Sequence, residues 1–136
     1  MITYLIAFGV TLVAFTGIDF IWLSRMGDIL YRPAMGDMVL DQFRPAPALI
    51  FYVIYAFGLV FFAVRPALAS GEWTTALLNG AMMGLVAYAT YDLTNQATLK
   101  NWSNLLTFGD LTWGTVLSGV SATIAYQVTS MLTKVG

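Results

Sequence analysis

Four long apolar runs, separated by short polar stretches, set the rhythm of the chain. The first extends from Ile2 through Ile18 and past Asp19 and Trp22 to about Leu23. Roughly 22 residues at ~1.5 Å each cross the ~30 Å apolar interior of a bilayer. Met1 to Tyr4 lacks a basic n-region and no small-x-small site precedes Asp19, so this run reads as a retained helix and not a cleaved signal. Pro45 and Pro47 open the second run, bulky with Phe51, Tyr52, Tyr55, Phe57, Phe61 and Phe62, which Arg65-Pro66 is expected to close. The third starts at Trp73 and grows more polar towards Leu99. The fourth is expected to open near Asp110, where a carboxylate suits the positive end of a helix, and to run to Thr133. The pattern thus predicts an all-α fold: a polytopic membrane bundle of four transmembrane helices, near residues 2–23, 47–65, 73–99 and 109–133, forming a single domain over 1–136.

The longest polar interval, Ser24 to Arg44, holds three arginines and three aspartates. Ile29, Leu30, Tyr31, Met35, Met38, Val39, Leu40 and Phe43 allow part of it to be a short amphipathic interfacial helix; a plain polar loop fits equally. With four spans, Arg25, Arg32, Arg44 and Lys100 fall on one side and Arg65 and Lys134 on the other. The positive-inside tendency puts the first side in the cytoplasm and both termini outside it.

Composition agrees with the membrane reading. The chain is 59% hydrophobic and 10% charged, with a mean hydropathy of +0.77, against roughly 45–50% apolar and 25% charged in soluble domains. A net charge of -1 and no basic run argue against a nucleic-acid partner. There is no cysteine and no histidine, which removes disulfides, thiolate nucleophiles and the usual haem, zinc and general-base chemistry. No metal-ligand spacing or nucleophile elbow is present, and no cofactor is indicated; the inventory argues against an enzyme.

The polar residues inside the runs are then the informative ones. At about 100° per residue, Phe15, Asp19 and Trp22 share a face of helix one, and Tyr88, Asp92 and Asn95 share one of helix three. Asp110, Trp113, Gly114, Leu117, Ser121 and Ala125 form a stripe on helix four. Gly80 and Gly84 on helix three, and Gly114, Ser118 and Ala122 on helix four, are small-residue rows that favour close packing. Helices one and three run the same way, so Asp19, Asp92 and Asp110 converge near one membrane face, with Arg25, Lys100, Asn101 and Trp102 as further neighbours. A self-similarity strengthens this: Val13 to Phe20 aligns without gaps on Val86 to Leu93, and Gly36-Asp37-Met38 falls on Gly109-Asp110-Leu111. It suggests two parallel helical hairpins.

A carboxylate at mid-bilayer costs about 2.5–3.5 kcal/mol on insertion scales, so each needs a reason. One is structural: ion pairs with Arg25 or Lys100, plus hydrogen bonds from tryptophan or asparagine. The other is a ligand site made by Asp19, Trp22, Tyr88, Asp92, Asn95, Lys100, Asp110 and Trp113. Trp22, Trp102 and Trp113 also fit an ordinary aromatic belt.

The run Tyr91-Asp92-Leu93-Thr94-Asn95-Gln96-Ala97-Thr98-Leu99-Lys100-Asn101-Trp102, with Asp110, Trp113-Gly114 and the earlier Asp19-Phe20-Ile21-Trp22-Leu23, resembles an uncharacterised bacterial family of small predicted membrane proteins, a domain of unknown function. The resemblance covers nearly the whole chain. It implies the membrane class and a place in the bacterial inner membrane, and brings no activity or assigned site. Two functions fit these readings. One is a small protein binding or transporting a lipid headgroup, a cationic amphiphile or protons at a carboxylate-lined site near the cytoplasmic face, alone or as a homodimer among membrane lipids. The other is a non-catalytic accessory subunit docking on a larger membrane complex.

Overall fold

The computed structural model describes residues 1–38 and 44–133. They form four long helices: α1 (Ile2–Met38), α2 (Pro45–Ser70), α3 (Trp73–Thr98) and α4 (Asn104–Thr133). No strand occurs among the described residues, and the architecture is a helical membrane bundle. α1 and α2 are long and apolar enough to cross a membrane. Only 22% and 28% of their most apolar windows are buried, so these helices turn their apolar side chains outward, as a lipid-facing helix does and a soluble core helix does not. α3 and α4 are long enough, at 26 and 30 residues, but too polar to meet the same hydropathy measure. Many of α4's polar residues, Thr107, Asp110, Ser118, Ser121 and Thr129, are buried.

Two helices run further than the sequence pattern predicts, for one shared reason. Each Arg-Pro pair was expected to lie at or beyond a helix end, because proline lacks the N–H that its i−4 carbonyl needs. Instead a five-residue π-helical turn precedes each pair: Gly27–Tyr31 before Arg32-Pro33, and Val60–Val64 before Arg65-Pro66. The wide turn carries the chain past the ring and the helix continues. At the same turn the Asn79 side-chain amide of α3 donates to the Phe62 carbonyl, four residues before Pro66, at 3.2 Å. α2 then stops at Gly71, whose φ of +74° is left-handed and whose N–H returns to the Ala67 carbonyl at 2.8 Å. The interval after Leu23 therefore continues the helix as far as Met35, where Gly36, at φ +60°, leads the chain into a short exposed turn to Met38; Val39, Leu40 and Phe43 lie outside the described residues, as do Lys134 and Gly136. α4 also starts earlier than expected, at Asn104, where the Ser103 hydroxyl accepts the Leu106 N–H at 3.2 Å. Asp110 thus sits inside α4 and not at its N-terminus.

α4 is the centre of the bundle. It packs most extensively on α3, and next on α1. The α3 contact depends on glycine. A Cβ at Gly80 would lie 2.7 Å from the Ser118 carbonyl oxygen and 2.8 Å from Ala122 Cβ, one at Gly84 would strike the Gly114 carbonyl, and one at Gly114 would enter the Tyr88 ring. Both small-residue rows meet here, backbone against backbone. On the first part of α1, Ile2–Met26, the buried residues are Ala7, Thr11, Phe15 and Asp19, one per turn. Phe15 and Tyr88, equivalent in the internal alignment, both pack on Tyr55 of α2, with ring centroids 4.8 and 6.3 Å away. The Gly36-Asp37-Met38 match does not extend the symmetry: it ends α1 in an exposed turn, whereas Gly109-Asp110-Leu111 lies within α4.

Several threonines inside the helices satisfy their own hydroxyls. The hydroxyls of Thr90 and Thr98 on α3 donate to the carbonyls four residues earlier, at 2.7 and 2.8 Å, and Thr94 donates to Thr90. On α4, Thr115 and Thr123 do the same at 2.9 and 2.7 Å. Such bonds let hydroxyls face an apolar medium without loss.

Candidate functional site

Hydrogen bonds from Tyr31, Tyr52 and Trp113 across to neighbouring helices gather at one end of the bundle. Asp19 comes midway along α1, Tyr52 early in α2, Asp92 late in α3 and Asp110 early in α4, and antiparallel alternation brings all four to the same level. Asp19 is held from two sides: the Tyr52 hydroxyl donates to Oδ2 at 2.7 Å and the Trp113 indole N–H to Oδ1 at 3.0 Å. Trp113 stacks on Trp22, with ring centroids 4.2 Å apart and planes 7° from parallel. The Trp22 indole donates to the Tyr31 hydroxyl at 3.0 Å, and that hydroxyl donates to Asp110 Oδ1 at 2.5 Å. The π-helical turn has a use here, since it brings Tyr31 over Asp110 and buries Leu30 beside Gly109.

Asp92 differs. It is fully buried, and neither oxygen has a hydrogen-bond partner of acceptable geometry. Its near neighbour is the carboxyl group of Asp110, and the two interact directly. Asp110 is also within electrostatic reach of Asp19. Asp110 thus has an acidic neighbour on either side, Asp92 and Asp19.

A cavity of about 410 Å³ adjoins them, lined by Asp19 and Leu23 of α1, Phe51 and Tyr52 of α2, Ala87, Tyr88 and Tyr91 of α3, and Asp110 of α4. Leu23, Phe51 and Tyr91 are exposed at its mouth while both aspartates are nearly buried, so the cavity passes from an apolar entrance to an acidic floor. No basic residue lines it. Among the described residues the ion pair is Arg32 with Asp28, at 3.2 Å on the surface. Arg25 and Lys100, the cations expected to neutralise the aspartates, are exposed.

Of the eight residues singled out in the sequence, Asp19, Trp22, Asp110 and Trp113 belong to one hydrogen-bonded and stacked network, Tyr88 lines the cavity, and Asp92 adjoins Asp110. Asn95 is half-buried one turn beyond Asp92, outside the cavity lining, and Lys100 is in the α3–α4 connection. Trp102 donates to the Thr107 hydroxyl at 2.9 Å and meets Tyr91 edge-on. Tyr31 and Tyr52 were missed as site residues. Their apolar surroundings hid them, and the signal that could have found them is a phenol hydroxyl that needs a partner wherever it is buried.

Fold and site together define a helical membrane protein with an acidic, aromatic-walled cavity at one end of its bundle. Residues 4–127 match the model of a family described as "Predicted membrane protein (DUF2177)", and the chain belongs to that family. No curated protein and no solved structure matches it.

Proposed function

We propose that this is a multi-pass inner-membrane protein whose four helices all cross the bilayer, and that it binds a cationic amphiphile in the cavity beside Asp19 and Asp110. One observation carries the reading: an aromatic cavity has two carboxylates in its floor and no basic residue in its lining. A volume of about 410 Å³ lies in the range of small-ligand sites, roughly 300–1,000 Å³. The ring faces of Phe51, Tyr52, Tyr88 and Tyr91 suit a cation with organic substituents, and the exposed apolar mouth suits its tail. Arg25, Arg32, Arg44 and Lys100 flank this end of the bundle, which supports a cytoplasmic-side position. The polar stripe of α4 faces inward, so its low hydropathy is compatible with a span enclosed by α1 and α3.

The test is binding of tetraphenylphosphonium to the purified protein in detergent, by equilibrium dialysis. The expected result is saturable binding, weakened at least about tenfold (~1.4 kcal/mol) by Asp19→Asn, with no saturable binding of the anionic isostere tetraphenylborate. Equal uptake of both ions, or an unchanged affinity in Asp19→Asn, overturns the reading.

A further inference from the structure

Asp92 needs a role of its own. It is absent from the cavity lining and fully buried, and both its oxygens lack hydrogen-bond partners. Asp110 lines the cavity, and the α3–α4 register that sets Gly84 on Gly114 and Ser118, and Tyr88 on Gly114, carries Asp92, one turn beyond Tyr88, to Asp110, one turn before Gly114. Every helix contributes titratable groups to these surroundings: Asp19 and Tyr31 from α1, Tyr52 from α2 through Asp19, and Tyr88 and Tyr91 from α3. All are acids, and none brings a positive charge. Two carboxylates in contact inside a bundle require a positive charge between them. The smallest positive charge that two touching carboxyl groups can hold between them is a proton, shared as one hydrogen bond.

Resting on the cavity reading above, we propose that Asp92 and Asp110 hold one proton between them while the cavity is empty, and release it when a cation settles beside Asp110. The exchange balances. The O–H bond of the pair breaks, its electron pair stays on the carboxylate, the proton passes to water, and the arriving cation replaces its charge. One proton leaves for each unit of positive charge bound, and the net charge of the site is unchanged. Proton and cation compete, so binding tightens as pH rises. Asp92 acts as the proton holder beside Asp110, and Asp19, held by Tyr52 and Trp113, acts as a fixed carboxylate facing the cation.

The experiment is to titrate tetraphenylphosphonium into the wild-type protein in weakly buffered detergent solution with a pH indicator. The expected result is about one proton released per probe bound, with affinity rising towards a limit of about tenfold per pH unit wherever the pair carries its proton. In Asp92→Asn the release disappears and the affinity becomes nearly independent of pH. Saturable binding without proton release, or a release that persists in Asp92→Asn, overturns the proposal while leaving the cavity reading intact. Absence of saturable binding sinks the cavity reading instead. The proton is then sought directly, as a carboxylic-acid C=O stretch in the infrared spectrum of the ligand-free protein. That band is expected in the wild type and lost in Asp92→Asn; its absence from the wild type overturns the proposal without requiring any variant to fold.

Discussion

The surroundings of Asp19 and Asp92 begin alike in sequence and end as opposites. Each carboxylate follows an aromatic residue by four positions, Phe15 in one case and Tyr88 in the other, and both aromatics pack on Tyr55. Asp19 nevertheless accepts two strong donors, whereas Asp92 has none and faces Asp110. The neighbouring helices make the difference. α1 lies against the start of α2, which supplies Tyr52, and against Trp113 of α4. α3 meets α4 along a contact lined by Gly80, Gly84 and Gly114 that brings the backbones together, and towards the Asp92 end of that contact α4 offers Asp110, an acid, where it offers Asp19 the Trp113 indole. One carboxyl group is thereby a structural anchor, and the other has only a second acid beside it.

The largest expected effect is loss of the anchor. Asp19→Ala strands the Tyr52 hydroxyl and the Trp113 indole in a buried setting, and each unpaired donor costs about 1–3 kcal/mol, so a loss of about 3 kcal/mol is expected in detergent-driven unfolding. Next is the α3–α4 contact. Gly84→Leu drives a side chain into the Gly114 backbone, and overpacking of this kind costs about 1–3 kcal/mol. It should lower the melting temperature, whereas Gly9→Leu, with open space around it, should not. Equal melting temperatures for the two variants would mean that the α3–α4 approach is looser than described.

Much of this was legible before any coordinates. The inward stripe of α4, from Asp110 through Gly114, Leu117 and Ser121 to Ala125, follows from helical spacing alone, because small and polar residues recurring every three or four positions can face only other protein in an apolar solvent. The convergence of Asp19, Asp92 and Asp110 followed from counting spans. The lengths of α1 and α2 were not legible, since proline reads as a stop unless a wide turn precedes it, and nothing in Gly27–Tyr31 or Val60–Val64 announces one. Nor were the partners of the carboxylates. Charge alone pointed to Arg25 and Lys100, yet the donors are Tyr52 and Trp113 to Asp19 and Tyr31 to Asp110, the last held in turn by Trp22, and such pairing depends on the rotation of each helix about its axis.

Asp92→Asn reverses the sign of the comparison. An ion-paired carboxylate loses stability when neutralised, but a buried acid that must take up a proton to sit against a second acid sheds that cost as an amide, which can also donate to Asp110. A gain of about 1 kcal/mol is expected against the loss for Asp19→Ala, read in the same unfolding assay. A destabilised Asp92→Asn would show that a favourable partner holds this carboxyl group in the membrane.

The smallest effect is also the most discriminating. Tyr52→Phe removes one hydroxyl and keeps the ring against Phe15, so on its own it should cost about 1 kcal/mol. Combined with Asp19→Asn the two losses should not add: the Tyr52 bond to Oδ2 is already weakened once the acceptor is neutral, and a coupling of at least ~0.5 kcal/mol is expected. Combined with Asp92→Asn the same substitution should add to within about 0.3–0.5 kcal/mol, because Asp92 shares no hydrogen bond with Tyr52. The two cycles use one tyrosine as a probe of both carboxyl groups. If they returned equal couplings, Tyr52 would be acting on the carboxylate cluster as a whole, and the division between an anchored and an unanchored acid would fail.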